Sequence, residues 1–102
     1  MKAFTWTNSM TEKQLHEAIV GEATVAGWRH FHPFDMRRSD TGWPDLFLVH
    51  PESGRRLAIE VKKADGVVSA KQKEWLADLA LCGIPAVVIR PQDRDYVREL
   101  LR

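Results

Sequence analysis

The sequence predicts an α/β fold, a mixed sheet with helices packed on it. Three observations point there. Apolar residues recur at helical spacing near the start and again near residue 75, two apolar runs flank a short turn-rich link in the middle, and a β-branched run follows the second helical segment.

The elements follow in order. In residues 11–28, Leu15, Ala18, Ile19, Ala23 and Ala26 mark one helical face, with Asn8, Ser9 or Thr11 placed to cap its start and Gly27 to end it. Residues 28–34 are aromatic-rich and reach Pro33, which suits a first strand followed by a polar loop over 37–42. Pro44 opens the next strand, and residues 45–50 and 56–62 flank Pro51-Glu52-Ser53-Gly54 as the two legs of a hairpin. Ser69-Ala70-Lys71-Gln72 has the capping-box pattern, and Trp75, Leu76, Leu79 and Ala80 continue it as an apolar stripe to about Cys82, where Gly83 and Pro85 stop the helix. Residues 86–90 form a short buried strand, and 93–102 a last helix with Asp93 as its cap. The order is α-β-β-β-α-β-α, and the crossover through the second helix sets the fourth strand parallel to the third.

At 102 residues, with 44% hydrophobic and 28% charged, residues 1–102 are expected to form a single domain with one core and one site. A net charge of +1 neither demands nor forbids a nucleic-acid partner, so any basic patch is local. The lone Cys82 excludes an internal disulfide and a cysteine-based zinc site. With no signal-like apolar run at the start and no stretch of eighteen apolar residues, the expectation is a soluble, cytoplasmic protein without membrane contact.

The hairpin decides where the charged side chains go. A symmetric turn pairs His50 with Arg55, and counting back sets Asp45 opposite Glu60, with Cβ atoms roughly 5 Å apart. The period of two brings Lys62 to the same face, while Leu46, Leu48, Leu57, Ile59 and Val61 share the other. Two carboxylates this close repel, so at least one pKa rises unless a cation or proton intervenes. Magnesium prefers hard oxygen ligands and suits such a pair, with room left for a phosphate oxygen, and Lys62 then stands beside phosphate or the attacking water. The implied reaction is phosphodiester hydrolysis. The competing reading is a solvated ion cluster on a surface hairpin, but Glu60 lies within Leu57-Ala58-Ile59-Glu60-Val61, where an unpaired carboxylate is costly to bury.

The ordered set Gly42-Trp43-Pro44-Asp45, Glu60-Val61-Lys62, Ser69-Ala70-Lys71-Gln72 and Trp75 resembles the VRR-NUC domain, a branch of the PD-(D/E)XK nuclease superfamily, over about residues 11–93. The resemblance implies a restriction-endonuclease-like αβββαβ core in which Asp45 and Glu60 bind Mg2+ (Mn2+ substituting), Lys62 assists the nucleophilic water and Gln72 is an auxiliary site residue. Gln72 has a competing role as the capping partner of Ser69, and one side chain is expected to do only part of both. The resemblance also implies a first-helix glutamate near the metal. Glu12 matches that place, with Glu22 a weaker candidate and Glu17 expected on the opposite face. His16 lies one turn after Glu12, and His30 and His32 share a strand face. Without a recognised ligand spacing they are taken as ordinary polar or packing residues rather than a zinc site. Arg90, at the end of the fourth strand, is left without a role.

The function so implied is a metal-dependent, structure-selective DNA endonuclease that resolves Holliday junctions as a homodimer, since two cuts in a four-way junction need two sites related by a two-fold axis. Stand-alone members of the family, phage-encoded or bacterial, have this format. Arg37, Arg38, Arg55, Arg56, Lys63 and Lys71 are candidates to hold phosphates, and Phe4, Trp6, Phe34 or Trp43 to form an interface. Two alternatives stay open: a nickase or nuclease module directed by a partner protein, and a non-catalytic DNA-binding module.

Overall fold

The computed structural model describes residues 6–32 and 41–102. Phe4, Phe34, Arg37 and Arg38 fall outside that range. The chain forms α1 (Glu12–Val25), β1 (Arg29–Phe31), β2 (Leu46–His50), β3 (Arg55–Val61), α2 (Ala70–Leu81), β4 (Ala86–Ile89), a 3-10 turn (Pro91–Asp93) and α3 (Arg94–Leu101). The expected order holds throughout, with the 3-10 turn as the addition.

Both long helices start where the sequence signals place them. Thr11 Oγ1 accepts the Gln14 amide while Gln14 Oε1 accepts the Thr11 amide, and Ser69 and Gln72 repeat that reciprocal box on α2. Both end in a Schellman turn, with Trp28 N–H donating to Ala23 O after α1 and Ile84 N–H to Leu79 O after α2. Asp93 stands at the N-cap position of α3 as expected, but its side chain makes no capping bond to that helix. Its Oδ2 instead accepts the Arg90 amide at 2.8 Å, because Pro91 tightens the entry into a 3-10 turn and brings Arg90 N–H within its reach.

The sheet runs β1-β2-β3-β4, antiparallel except for the parallel β3–β4 pair. His50 pairs with Arg55 and Leu46 with Ile59, so the hairpin register is the one the turn length implied. One face carries Leu46, Leu48, Leu57, Ile59 and Val61 against Leu15, Ala18, Ile19 and Ala23 of α1 and Val97 and Leu101 of α3. Each large side chain buried there contributes about 1.5–3 kcal/mol. The other face is covered by α2. β3 is therefore a central strand whose last five residues are all buried. No helix among the described residues is long and apolar enough to cross a membrane.

Gly42 brings the segment before β2 against the first turn of α2. Its φ is +91°, and a Cβ there would lie 2.6 Å from the Lys71 carbonyl carbon and 2.9 Å from Gln72 N, inside any permitted contact. Trp43 then meets Trp75 edge to face, ring centroids 4.9 Å apart. Gly42→Ala is expected to lower unfolding stability by at least about 1–3 kcal/mol, measured by urea denaturation. A midpoint equal to that of the unaltered protein would show that this approach is dispensable.

Candidate active site

The site lies just ahead of the first residue of β2. Along the end of β3, odd-numbered amides point to β2 and even-numbered ones to β4, as Lys62 N–H shows by donating to Ile89 O at 3.0 Å. The next β2 partner for Val61 in the register is Pro44, which has no N–H to return a bond. The ladder ends there, and the Val61 N–H donates instead to the Asp45 side chain, Oδ2 accepting it at 3.0 Å. Continuing the register by one step sets Asp45 against Glu60 in a non-hydrogen-bonded pair, the kind whose side chains come closest.

Glu60 is 1% exposed. Its Oε2 accepts Gln72 Nε2–H at 2.9 Å and lies 3.7 Å from Lys62 Nζ. Its Oε1 is buried with no hydrogen-bond partner among the described residues. Burial, then the charge of the adjacent Asp45, push the Glu60 pKa up to about 8, against the pull of Lys62. The solvated-cluster reading does not survive this burial. A buried, unpartnered carboxylate oxygen beside a second carboxylate is the donor set a hard divalent cation takes, so Asp45 and Glu60 fit the metal that the sequence implies.

Gln72 combines the helix cap with a contact to Glu60. Its Oε1 accepts Ser69 N–H at 2.8 Å while its Nε2 donates to Glu60, so the two ends of one amide serve the helix cap and the carboxylate together.

Glu12 lies on the rim of this arrangement. With Lys13, His16, Glu17, His32, Asp45 and Val61 it lines a groove of about 350 Å³, and its Oε2 accepts Lys63 N–H at 3.3 Å. Among the described residues no three His, Cys, Asp or Glu side chains converge closely enough to hold an ion together, so Glu12 stands apart from the Asp45–Glu60 pair. Glu17, expected on the opposite face, also lines the groove. It sits about 100° round the helix from His16, and the groove is wide enough to take both. Glu22 belongs elsewhere, 3.5 Å from Arg98 of α3.

The histidines divide as well. His16 packs edge to face with His32, centroids 4.4 Å apart, and its pKa is held down chiefly by burial and next by His32. His32 Nδ1 lies 2.7 Å from Asp45 O and, as a ring N–H, donates to it, steadying the residue that immediately precedes β2. That contact was missed in the sequence because it arises from β1–β2 pairing, for which a short strand gives no register signal. Of the candidate phosphate ligands, Arg55 bonds Leu100 O and Arg102 O at the end of α3 and Arg56 bonds Gly83 O, which makes both structural. Lys63 and Lys71 are exposed at the ends of the β3–α2 connection.

The sequence model of the VRR-NUC domain matches residues 3–93. The chain belongs to the VRR-NUC domain family. Among solved structures, a VRR_NUC domain protein superposes with a TM-score of 0.63 at 22% identity, over 91% of this chain and 86% of that one. Hjc from Archaeoglobus fulgidus, a Holliday junction resolvase, superposes with a TM-score of 0.56 at 24% identity, over 76% of this chain and 67% of that one. The VRR-NUC fold here is thus the restriction-endonuclease-like one. In sequence, the chain is 46% identical over 54 residues to the Fanconi-associated nuclease 1 homolog of Caenorhabditis elegans, a match spanning 53% of this chain and 6% of that protein.

The Glu60 pKa has a consequence for this VRR-NUC domain without metal. The folded state keeps the Glu60 proton up to about pH 8, whereas an unfolded glutamate releases it near 4.5. Folded protein therefore binds more protons between those values, and stability falls as pH rises through the window, by an amount on the order of a few kcal/mol. The melting temperature of metal-free protein is expected to drop from pH 5 to pH 8, Glu60→Gln to flatten that drop, and added Mg2+ to offset it at pH 8. Identical slopes in the two proteins would show that Glu60 does not titrate in this way.

Proposed function

We propose that this VRR-NUC domain is a metal-dependent DNA endonuclease that hydrolyses phosphodiesters in branched DNA, four-way junctions above all, as a homodimer. The observation that carries the reading is the buried Glu60, with one oxygen unpartnered, set against Asp45 and within reach of Lys62 and Gln72. Asp45 and Glu60 would hold Mg2+, or Mn2+ in its place, and the ion when bound would supply Lewis-acid stabilisation of the charge that builds on a phosphodiester.

The side chains do the remaining work. Val61 N–H orients the Asp45 carboxylate and Gln72 orients that of Glu60, so neither reorganises as charge develops. Lys62, 13% exposed, is a compact cation held beside Glu60 that would donate an N–H hydrogen bond to the phosphate or steer the attacking water. Glu12 faces the same groove as Asp45 and is the acidic group from α1 in this scheme.

The structural likeness to Hjc, described as a Holliday junction resolvase, favours the junction substrate, and two cuts in a four-way junction ask for two sites related by a two-fold axis. A second reading, a nuclease module directed by a partner, is favoured by the match to 6% of a far longer nuclease homolog. Purified protein incubated with Mg2+ or Mn2+ and labelled duplex, flap and four-way junction DNA separates the two. Paired, symmetric cuts in the junction support the first, and indifferent nicking the second. Metal-independent binding without cleavage would leave a DNA-binding module.

Glu60→Ala is expected to fold and to abolish cleavage, and Lys62→Ala to reduce turnover by about 10²–10⁴-fold. Undiminished turnover by Glu60→Ala at equal metal would reject the assignment. Sedimentation equilibrium should find a dimer, and a monomer that still makes paired cuts would remove the two-site argument.

A further inference from the structure

Arg90 follows the last residue of β4, and continuing the parallel register of Val61 with Ile89 by one pair places it beside Lys62. Two cations side by side would compete for Glu60, yet the Arg90 guanidinium is engaged elsewhere. Its Nη1 donates to Lys63 O at 2.9 Å and to Ala64 O at 3.3 Å. Gln92 Nε2 adds a bond to Ala64 O at 3.5 Å, and Asp93 Oδ2 fixes the Arg90 backbone through its amide at 2.8 Å. On the other side of Lys63, its N–H, in the preceding peptide, donates to Glu12 Oε2. The residues that follow Lys62 are thus gripped from β4, the 3-10 turn and α1 at once, at the point where the chain leaves the sheet and no strand partner remains to hold it.

We infer that Arg90 is a positioning residue for Lys62: by tying the Lys63 and Ala64 carbonyls to the end of β4, it fixes the backbone from which the Lys62 ammonium reaches Glu60. The inference rests on the nuclease reading for its kinetic consequences, though the clamp itself does not. A side chain acting this way contributes only through Lys62. Its loss moves the ammonium relative to the reacting phosphate, and a displacement of about 1 Å in such a group is worth around 100-fold in rate. Arg90→Lys keeps the charge and three N–H donors but loses the planar, pre-organised guanidinium, so it restores the two carbonyl contacts only in part.

The experiment is a double-mutant cycle read in kcat and KM for junction DNA with Mg2+, alongside amide hydrogen exchange of the metal-free proteins. Arg90→Ala is expected to lower kcat by about 10–100-fold with KM within two-fold, and Arg90→Lys to recover part of that loss. In a Lys62→Ala background the same change at Arg90 is expected to have little further effect. Exchange at the Lys62 and Lys63 amides should accelerate in Arg90→Ala while the amides of β2 keep their protection.

A rise in KM with kcat unchanged would make Arg90 a phosphate ligand and overturn the inference. An equal loss from Arg90→Ala with and without Lys62 would overturn it too, as would unaltered exchange at Lys62 and Lys63. Failure of the unaltered protein to cleave any DNA would defeat the nuclease reading instead, and the exchange measurement would still decide the clamp.

Discussion

A carboxylate in the middle of a sheet is the constraint around which this molecule is arranged. Glu60 lies on the strand with neighbours on both sides and a helix above it, where removing a charge from water costs several kcal/mol unless partners replace the solvent. Those partners come from separate parts of the chain: Asp45 from the start of β2, Lys62 from beyond β3, Gln72 from the first turn of α2. Each arrives only if its own element is correctly placed, so the folding of three segments and the electrostatics of one side chain are coupled. The oxygen left unpartnered is the part of the constraint the protein alone does not resolve.

The start of α2 shows how the coupling is achieved with few residues. Ser69 and Gln72 would cap a helix in any context, a purely local device. Here the capping amide has a second end, and α2 crosses the sheet where that end meets Glu60. Gly42 allows the preceding loop to press on the same turn, which ties the Trp-Pro-Asp segment to the helix that carries Gln72. Helix capping, close backbone approach and carboxylate orientation are one packed unit rather than three independent features.

The pair of carboxylates has two sides. Glu60 turns toward α2 and is enclosed, whereas Asp45 opens into the groove that α1 lines with Glu12, His16 and Glu17. The enclosed side supplies orientation, and the open side is where a ligand can enter. Acidic groups and imidazoles dominate that groove, with Lys13 as the cation among its lining residues, so an anionic ligand would enter it only with its charge and that of the carboxylates compensated by a cation.

Much of this was legible in the residues themselves. The capping boxes, the glycine stops and the turn between β2 and β3 are local signals, and a tight turn with period-two alternation determines register without any further information, which is why Asp45 and Glu60 could be paired from the sequence. The family motifs are short-range for the same reason. What only the tertiary structure decided are contacts between elements whose separation along the chain leaves no periodic trace: His32 on Asp45, Arg90 on Lys63 and Ala64, Glu17 in the groove, and Glu12 bonded to Lys63 rather than joined to the carboxylate pair. Those depend on how α1 and β4 seat against the sheet, and that seating is set by the shape of the apolar core, which alternation in the sequence specifies as a face but not as a distance.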